Sequence, residues 1–564
     1  MQGVTRAEWS GHVRPRARAL LSELDDWRRR ELLLCTGIAA TISLLVLKLV
    51  PPGGDAPAHL YRTLLVRQGV FVWDNLWFAG QYPLFSYSLL YYLPAPFVGD
   101  AWLGLASIVV AVLVFASIVV REWGALARWP ARSFAVLAAG QLFTGAYPFD
   151  AGLACLLATL WALQRRRFVI ASVSAILTVG FSPLAFLLLG IALVAAFLAT
   201  RRVSWSVAGF AVAVLGAIAI EAAVLVLFPS PGLVYPFGLW RLLAGLAVAF
   251  SGVALALRAR RARKLALLFG VWAVASAVAY LVPSAVGHNI LRASTLVFPL
   301  MLLTAALAGF RPRWLAVPAV AGALVATVGP YVSMIPARSG ADAAGTVAFW
   351  RPILAFLGAH PAPGYRVEVV PTSNHWEAYF VPQAGLALAR GWYRQLDIAA
   401  NPALYQAHLS PSLYRAWLRE EGVRYVVLPN APLEAIDAAR EARLLRSGAA
   451  GLRRVWSGPS GVIFALPHAK PILTGPGRAT ITTYSSTTVS GSVARPGSYL
   501  LRVHYTPYWH ATAVPSVCVA PAQNAMTRLV FSRAGPFSLR AIEDPVEVLG
   551  TYLHSDGHSC PAAG

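Results

Sequence analysis

Long apolar stretches alternate with short polar ones over the first 334 residues of the chain. A helix needs about 20 apolar residues to cross the hydrocarbon layer of a bilayer. The first stretch lacks a small-residue cleavage site and is too long for a removed signal, so we predict that it anchors the chain. The pattern predicts eleven spans in all, at about residues 32–50, 101–120, 133–146, 151–163, 168–179, 183–199, 207–228, 239–257, 265–282, 293–310 and 314–334.

Basic clusters in the connections predict the orientation of these spans. Residues 1–31 are basic, and from there every second connection is rich in arginine. Such clusters stay in the cytoplasm, so the N-terminus is expected inside. An odd number of spans then puts the chain after residue 334 outside. It puts five separated polar side chains on that same outer side, namely Asp55, His59, Asp150, His288 and Arg292.

Two of the predicted spans, 133–146 and 151–163, are shorter than a perpendicular crossing requires. Short segments interrupted by proline often line cavities in membrane proteins. We therefore expect the joint between them, residues 147–150, to lie in such a cavity with Asp150. In the span 207–228, Glu221 is an acid deep in apolar sequence, which is costly unless it is paired or functional.

The last 230 residues or so have the composition of a soluble protein. Residues 335–451 predict an α/β domain, with helices at AFWRPILAFLG, SLYRAWLREE and LEAIDAAREARLL and strands at YRVEVVP and VRYVVLP. Residues 452–564 alternate apolar and polar positions between Gly/Pro turns and predict a β-sandwich or jelly roll. Cys518 and Cys560 fall in this part and could form a disulfide if it is extracytoplasmic; a free pair is the alternative.

Composition agrees with a membrane protein. Hydrophobic residues make up 57% of the chain and charged residues 13%, with a mean hydropathy of +0.61. The net charge of +23 does not indicate a nucleic-acid partner here, because much of the basic charge lies in short clusters that set topology. Lysine is rare beside arginine, and alanine is abundant, which favours a GC-rich bacterial genome and hence a bacterial plasma membrane.

The outer loop 51–100 between the first two spans carries the main candidate chemistry. Asp55 and His59 are four residues apart and share a helix face with Arg62. Asp55 is a candidate general base, and with Asp150 it is a candidate ligand of Mg²⁺ or Mn²⁺. His59 is expected to orient Asp55 or to bind phosphate. The simpler readings are a helix cap for Asp55, a loop carboxylate for Asp150 and a structural hydrogen bond for His59.

Other polar and aromatic side chains are candidates for binding a substrate. Arg292 begins a span on the outer side and could bind a lipid phosphate, or only extend towards the interface. The polar and aromatic clusters of the outer domain could bind sugars or pack between domains. The full set of candidate binding residues is Arg62, Trp73, Asp74, Tyr87, His288, Arg292, Trp376, Glu377, Trp392 and Arg394. The chain has no Walker A, GxSxG, HExxH or CxxC motif.

The basic tail, the first span and the loop sequences GGDAPAHLYR and WDNLWFAGQYPLFSYSLLYYLPAPF resemble the GT-C superfamily of polyprenyl-phosphate-sugar-dependent glycosyltransferases. With NHWEAYF, ARGWYRQLD, RYVVLP and YTPYWH, nearly the whole chain resembles actinobacterial membrane proteins labelled "6-pyruvoyl-tetrahydropterin synthase-related" and YfhO-like proteins. The resemblance implies a catalytic acid in the first outer loop, here Asp55, and a second acid in the next one, here Asp150. Ala56 and Pro57 follow Asp55, so the loop lacks the paired acids that would indicate a metal.

The resemblance also implies partners and a reaction. They are a polyprenyl-phosphate-sugar donor, an envelope glycan or glycolipid acceptor, surrounding lipids, and transfer with inversion on the extracytoplasmic face. Two other functions stay open: a lipid or glycan transporter that uses Glu221 and the short spans, and a non-catalytic envelope-assembly protein whose outer domain binds glycan. The lack of evident internal symmetry argues against a transporter.

Overall fold

The computed structural model describes residues 13–50, 53–84, 87–200, 205–229, 234–334, 343–435, 437–511 and 517–553. The first part of the chain is helical, and the part after residue 343 contains all the strands of the described residues. Cys35 and Cys155 are free thiols. Cys518 is disulfide-bonded, while Cys560 lies outside the described residues.

Thirteen α-helices precede residue 335 in the described part of the chain. They are α1 (Val13–Leu49), α2 (Ala56–Arg67), α3 (Ala95–Val98), α4 (Asp100–Trp123), α5 (Arg128–Leu137), α6 (Tyr147–Gln164), α7 (Phe168–Phe181), α8 (Pro183–Thr200), α9 (Trp205–Leu227), α10 (Leu239–Ala256), α11 (Arg263–Leu281), α12 (Ser294–Leu307) and α13 (Arg313–Met334).

Eight helical segments of the described residues are long and apolar enough to cross a membrane. The chain is therefore a multi-pass membrane protein by the length and composition of its helices. The segment of residues 100–143 contains α4, α5 and a 3₁₀ turn between Ala138 and Phe143; it includes our predicted span 101–120 and most of the span 133–146. The predicted spans 151–163 and 168–179 correspond to α6 and α7, which are outside the eight.

The predicted joint at residues 147–150 is wrong. These residues form the first turn of α6, which is 18 residues long. Pro148 stands near the start of that helix, where its fixed φ suits the helix and its missing N–H costs nothing. The turn that separates the two helical segments lies earlier, at Gly145, which has a positive φ of 68°. Asp150 therefore belongs to a helix terminus and not to a linker.

The C-terminal part begins with a four-stranded sheet in the order β1-β2-β4-β3. Its strands are β1 (Arg366–Val369), β2 (Val423–Pro429), β3 (Arg453–Gly458) and β4 (Gly461–Ala465). The parallel β1 and β2 were predicted as strands, as were two helices beside them. Those helices and the others of this unit are α14 (Val347–Ala359), α15 (Glu377–Gln383), α16 (Arg394–Ala400), α17 (Pro411–Glu420) and α18 (Ala438–Arg446).

The sheet extends beyond our predicted domain boundary at residue 451. β4 pairs with β2 in antiparallel register, from Tyr425 opposite Ala465 to Pro429 opposite Gly461. β3 then pairs with β4 at the sheet edge. The α/β unit therefore continues to Ala465, because hydrogen bonding to β2 assigns these two strands to it.

Two four-stranded antiparallel sheets follow, in the orders β10-β11-β8-β5 and β6-β7-β12-β9. Buried apolar side chains from both sheets form one cluster, as in a β-sandwich. The strands are β5 (Leu473–Thr474), β6 (Ala479–Tyr484), β7 (Thr488–Val493), β8 (Gly497–His504), β9 (Trp509–Ala511), β10 (Val517–Pro521), β11 (Met526–Phe531) and β12 (Gly535–Ala541), and α19 (Pro545–Leu553) follows them.

A buried ion cluster holds the α/β unit together around Arg390. Its guanidinium lies 2.6 Å from Asp437, 3.1 Å from Glu368, 3.4 Å from Asp397 and 3.6 Å from Glu441. All five side chains are buried. Burial raises the pKa of Glu368 well above its usual range and that of Glu441 to about 7. Against the effect of burial, Arg390 and hydrogen bonds lower the pKa of Asp437 to about 2.

Residues 70–82 of the first loop are bound by both C-terminal units. The Glu543 carboxylate accepts hydrogen bonds from the backbone N–H groups of Phe71, Val72 and Trp73. From the α/β unit, the Leu388 amide donates to the Leu76 carbonyl at 2.9 Å. These contacts require the loop and the C-terminal units to lie on the same side of the membrane.

Candidate functional site

The site forms where the chain leaves α1 and enters α2. The Asp55 amide donates a 2.9 Å hydrogen bond to the carbonyl of Thr144, in the turn before α6. At Gly145 in that turn, a Cβ atom would lie 2.5 Å from the Ala56 nitrogen, so only glycine allows this approach. The two backbone segments thus bring Asp55 and the first turn of α6, with Asp150, to one end of the helical bundle.

Arg292 joins Asp55 from a third segment. It lies in a 3₁₀ turn, Gly287–Ala293, directly before α12. Its Nη2 donates to Asp55 Oδ2 at 2.9 Å. The side chains are 31% and 17% exposed, so the pair is accessible from outside the bundle. A guanidinium carries five N–H donors, and a second anion can therefore bind beside the Asp55 carboxylate.

Asp150 lies deeper than this pair. Its side chain is fully buried, and neither carboxylate oxygen has a hydrogen-bond partner. Arg292 is close enough for its positive charge to act on Asp150, and its guanidinium also lies 6.0 Å from the ring centre of Phe149. One arginine therefore interacts with both predicted acids, by a hydrogen bond with Asp55 and electrostatically with Asp150.

His59 and Arg62 lie in a cage of tyrosines beside the pair. The His59 Nδ1 lies 2.8 Å from the Tyr92 hydroxyl and 3.3 Å from the Tyr393 hydroxyl. Burial, followed by the charges of nearby arginines, lowers the pKa of His59 well below its usual value, so the imidazole is neutral. Arg62 is also fully buried, with its guanidinium 4.5 Å from the ring centre of Tyr393.

Tyr87 connects the cage to the Asp55–Arg292 pair. Its ring stacks on that of Tyr393, with centroids 4.8 Å apart. The charges of Arg292 and Asp55 both act on its hydroxyl, although burial is the main cause that raises the pKa of Tyr87. Because Tyr393 directly precedes α16, the α/β unit supplies one wall of the site.

A group of cationic and polar side chains, which we call the basic rim, surrounds the accessible side of Arg292. It consists of Tyr235, Arg241, His288 and Arg394. Arg241 Nη1 lies 3.1 Å from His288 Nε2, and the His288 Nδ1 donates to the Pro236 carbonyl at 2.8 Å. The His288 ring packs on Tyr235 with centroids 4.3 Å apart.

Arg394 reaches this rim from α16. It donates a 2.7 Å hydrogen bond to Glu434 and lies close enough for its charge to act on Tyr235 and His288. The charge of Arg292 acts on the same two side chains. Three arginines from two separate parts of the chain therefore converge, which is the arrangement that binds phosphate or another oxyanion.

Trp73 and Asp74 do not line this site. Trp73 is 2% exposed and packs on Tyr82 and Trp509. Asp74 is fully buried, and its Oδ1 accepts from the Tyr61 hydroxyl at 3.0 Å. Burial raises the pKa of Asp74 to about 7. Both side chains hold the loop against its neighbours, a place where no substrate can reach them in this structure.

The predicted sugar-binding residues of the α/β unit are also largely buried. Trp392 stacks against His375 with ring centres 3.2 Å apart, and it is 7% exposed. Glu377 accepts a 2.6 Å hydrogen bond from the Thr372 hydroxyl. Trp376 is 6% exposed. These contacts correspond to the packing alternative, and of this group only Arg394, at 21% exposure, reaches the basic rim.

Sequence reasoning missed the side chains that complete the site. They are Tyr92, Tyr147, Tyr235, Arg241 and Tyr393. Tyr393 stood within the noted cluster GWYRQLD, beside Trp392 and Arg394, but nothing in the sequence pointed to it in particular. Tyr235 and Arg241 belong to a Pro/Gly loop and a span that carried no other chemical signal.

A shared metal ion between Asp55 and Asp150 fits this arrangement poorly. In the part of the chain that the structure describes, no three His, Cys, Asp or Glu side chains form a group suited to a metal. Arg292 supplies a positive charge to both acids, where such an ion would have to bind. We therefore derive no chemical step through Mg²⁺ or Mn²⁺.

Glu221 lies apart from this site, in α9. Its Oε2 is buried and has no hydrogen-bond partner. Many neighbouring side chains of α9 are exposed, including Ile218, Ile220 and Leu225, so the helix lies at the outside of the bundle.

No protein-family model matches the chain, and no curated protein matches it significantly.

Proposed function

We propose that the chain is a GT-C-like membrane glycosyltransferase of a bacterial plasma membrane. It transfers a sugar, with inversion, from a polyprenyl-phosphate donor to an envelope glycan or glycolipid. The observation that carries this proposal is the partly exposed Asp55–Arg292 pair beside the basic rim. It combines a carboxylate able to accept a proton with cations able to hold a phosphate.

The proposed topology has eleven crossings with the N-terminus inside. The contacts between residues 70–82 and the C-terminal units require an even number of crossings between them. The ten helical segments from α4 to α13 satisfy this requirement, if α5 with its 3₁₀ extension, α6 and α7 each cross the membrane as short spans. The basic connections then lie in the cytoplasm and the site lies outside.

In the proposed reaction, Asp55 accepts the proton of an acceptor hydroxyl. The acceptor oxygen forms a bond to the anomeric carbon of the sugar while the bond from that carbon to the phosphate oxygen breaks. The lipid phosphate leaves with the electron pair. Arg292 and the basic rim stabilise the negative charge that develops on it.

The other predicted catalytic residues position this machinery. The buried Asp150 lies near Arg292 and helps to define the position in which the guanidinium also contacts Asp55. His59 is neutral and holds the hydroxyls of Tyr92 and Tyr393, which form the wall next to Tyr87. Arg62 supports the same wall by its contact with the ring of Tyr393.

Transfer from a panel of labelled polyprenyl-phosphate sugars tests the proposal, with wild type compared with Asp55→Asn. We expect the turnover of the variant to fall at least about 100-fold, because a general base typically contributes that much. Asp26→Asn is the matched control, since Asp26 is an exposed acid in the N-terminal half of α1, far along the chain from the site. Equal activity of wild type and Asp55→Asn, or no transfer from any donor, would contradict the proposal.

A transporter is the second candidate, and Glu221 is the observation that favours it. A buried carboxylate oxygen without a partner in a membrane helix is costly and often functional. Transport of a labelled lipid-linked sugar across proteoliposomes would be lost in Glu221→Gln if this function holds. For a glycosyltransferase, the same variant should retain its turnover within about twofold, since Glu221 lies apart from the candidate site and glutamine has nearly the same shape.

A further inference from the structure

A cavity lies in the α/β unit, and none of its lining residues belongs to the candidate site. It has a volume of about 480 Å³. Protein pockets for small ligands commonly measure roughly 300–1,000 Å³. It opens between α14, the start of β2 and the two strands β3 and β4, and its lining residues are Phe356, His360, Tyr365, Arg424, Tyr425, Arg453, Val455, Ala465, Leu466 and Ala469.

The lining carries positive charge and no acid. Arg424 and Arg453 are both exposed, and neither takes part in an ion pair among the described residues. The His360 Nδ1 donates to the Phe356 carbonyl at 2.9 Å, which leaves its Nε2 as the second polar atom of the ring. The two guanidinium groups are suited to bind a carboxylate in bidentate fashion.

The floor of the cavity is aromatic. The rings of Phe356 and His360 stack with centroids 4.3 Å apart, and Tyr425 meets Phe356 edge-on at 6.0 Å. The Arg424 guanidinium lies 5.5 Å from the ring centres of both Tyr365 and Tyr425. Flat apolar rings beside cations suit a ligand that has an apolar face and an anionic group.

We propose that this cavity binds a short saccharide that carries carboxylate groups. The apolar face of a pyranose ring packs on the tyrosine and phenylalanine rings, and its carboxylate binds Arg424 and Arg453. The lining includes two arginines, a histidine and two tyrosines, and these polar groups favour a sugar acid over a fatty or aromatic acid. This binding function is separate from the proposed transfer reaction and does not depend on it.

Titration of the purified full chain with trigalacturonic acid tests the inference, with the neutral trimer of galactose as the comparison ligand. Isothermal calorimetry gives the dissociation constants. We expect trigalacturonic acid to bind with a Kd below about 1 mM and the neutral trimer at least tenfold more weakly, since each bidentate pair lost costs about one factor of ten or more.

The double variant Arg424→Gln, Arg453→Gln should weaken binding of trigalacturonic acid at least about tenfold. Both side chains are exposed, so the variant should fold, and its unfolding temperature checks this. Arg533→Gln, an exposed arginine in the sandwich, is the matched control and should bind as wild type does. A folded variant with unchanged affinity, equal binding of the two trimers, or no binding of trigalacturonic acid at about 10 mM would overturn the inference.

Discussion

Arg390 and Arg292 illustrate two different uses of a charged side chain in one molecule. Arg390 is buried and lies within 3.6 Å of four carboxylates. Arg292 is partly exposed, hydrogen-bonds to a single carboxylate, and has further arginines in the adjacent basic rim. The residues around Arg390 leave excess negative charge in the interior. The residues around Arg292 leave excess positive charge at an accessible surface.

The two surroundings have different consequences. Around Arg390, proton uptake by some of the acids balances the charge, as the raised pKa values of Glu368 and Glu441 indicate. Around Arg292, the basic rim is open to an incoming anion, which is able to balance the charge. Buried ion clusters therefore contribute to structure, while an open cluster of like charges is the better candidate for binding.

The largest effect is expected when the closed cluster is broken. Arg390→Met leaves four buried carboxylates without their cation, and losing one partner of a buried ion pair typically costs about 3 to 5 kcal/mol. Thermal unfolding of the purified protein measures the loss. Arg443→Met, a change on the exposed face of α18, should have little effect. A similar unfolding temperature for Arg390→Met and wild type would contradict the structural role.

The same cluster predicts a pH dependence. The pKa of Glu441 is raised from 4.5 to about 7 in the folded protein, so the folded state holds its proton more tightly than the unfolded state does. This contribution to stability is present below pH 4.5, is lost as the pH rises towards about 7, and amounts to about 3 kcal/mol.

Asp74 titrates in the same pH window, so the comparison must isolate Glu441. Glu441→Gln removes the part of the pH dependence that comes from Glu441. The free energy of unfolding, measured by chemical unfolding between about pH 5 and pH 8, should therefore fall less steeply with pH than in wild type. Parallel curves for the two proteins would show that Glu441 does not hold a proton in the folded state.

At the basic rim beside Arg292, we expect a substitution to weaken ligand binding without a loss of stability, which is a smaller effect than those above. Arg241→Gln removes one cation from the basic rim and should raise the Kd for a polyprenyl phosphate about tenfold. The unfolding temperature should stay within about 2 °C, because the side chain is exposed. Arg258→Gln, just beyond the other end of α10, is the control. Equal weakening by both variants would point to a general charge effect.

The smallest expected effect concerns the loop that supports the site. Glu543→Gln keeps one acceptor oxygen, which can serve the N–H groups of Phe71 and Val72, but it places an amide NH2 opposite the Trp73 N–H and removes the charge that strengthens these bonds. We expect a loss of about 1 kcal/mol and faster hydrogen exchange at these three amides. Glu547→Gln, an exposed change in α19, is the control. Unchanged exchange at residues 71–73 would show that the carboxylate does not hold the loop.

Periodicity and charge in the sequence allowed several elements to be predicted. The strands β1 and β2 and the helices α14, α17 and α18 are confirmed, because each has a strong period or a clear pattern of apolar positions. Assigning β3 and β4 to the sandwich was not correct. Alternation predicts that a strand exists but carries no information about its partner, which for β4 is β2.

The site could be predicted only in part. The orientation predicted from the basic clusters put Asp55, Asp150 and Arg292 on one side of the membrane, and the structure places these three close together. The burial of Trp73, Asp74 and the sugar-binding candidates of the outer domain could not be foreseen. A polar loop looks solvated in the sequence, and only contacts from residues more than 300 positions away, such as that between Trp77 and Ala378, bury it.

The bonds from Glu543 to the first loop also have a consequence for biosynthesis. Trp73 and Glu543 are 470 residues apart, so the loop can obtain this partner only after nearly the whole chain has been translated. At roughly 5–20 residues per second, that interval lasts between about 25 and 95 s. Until then Asp55 and its neighbours lie on a loop that lacks this support, so the candidate site is complete only after Glu543 has been translated.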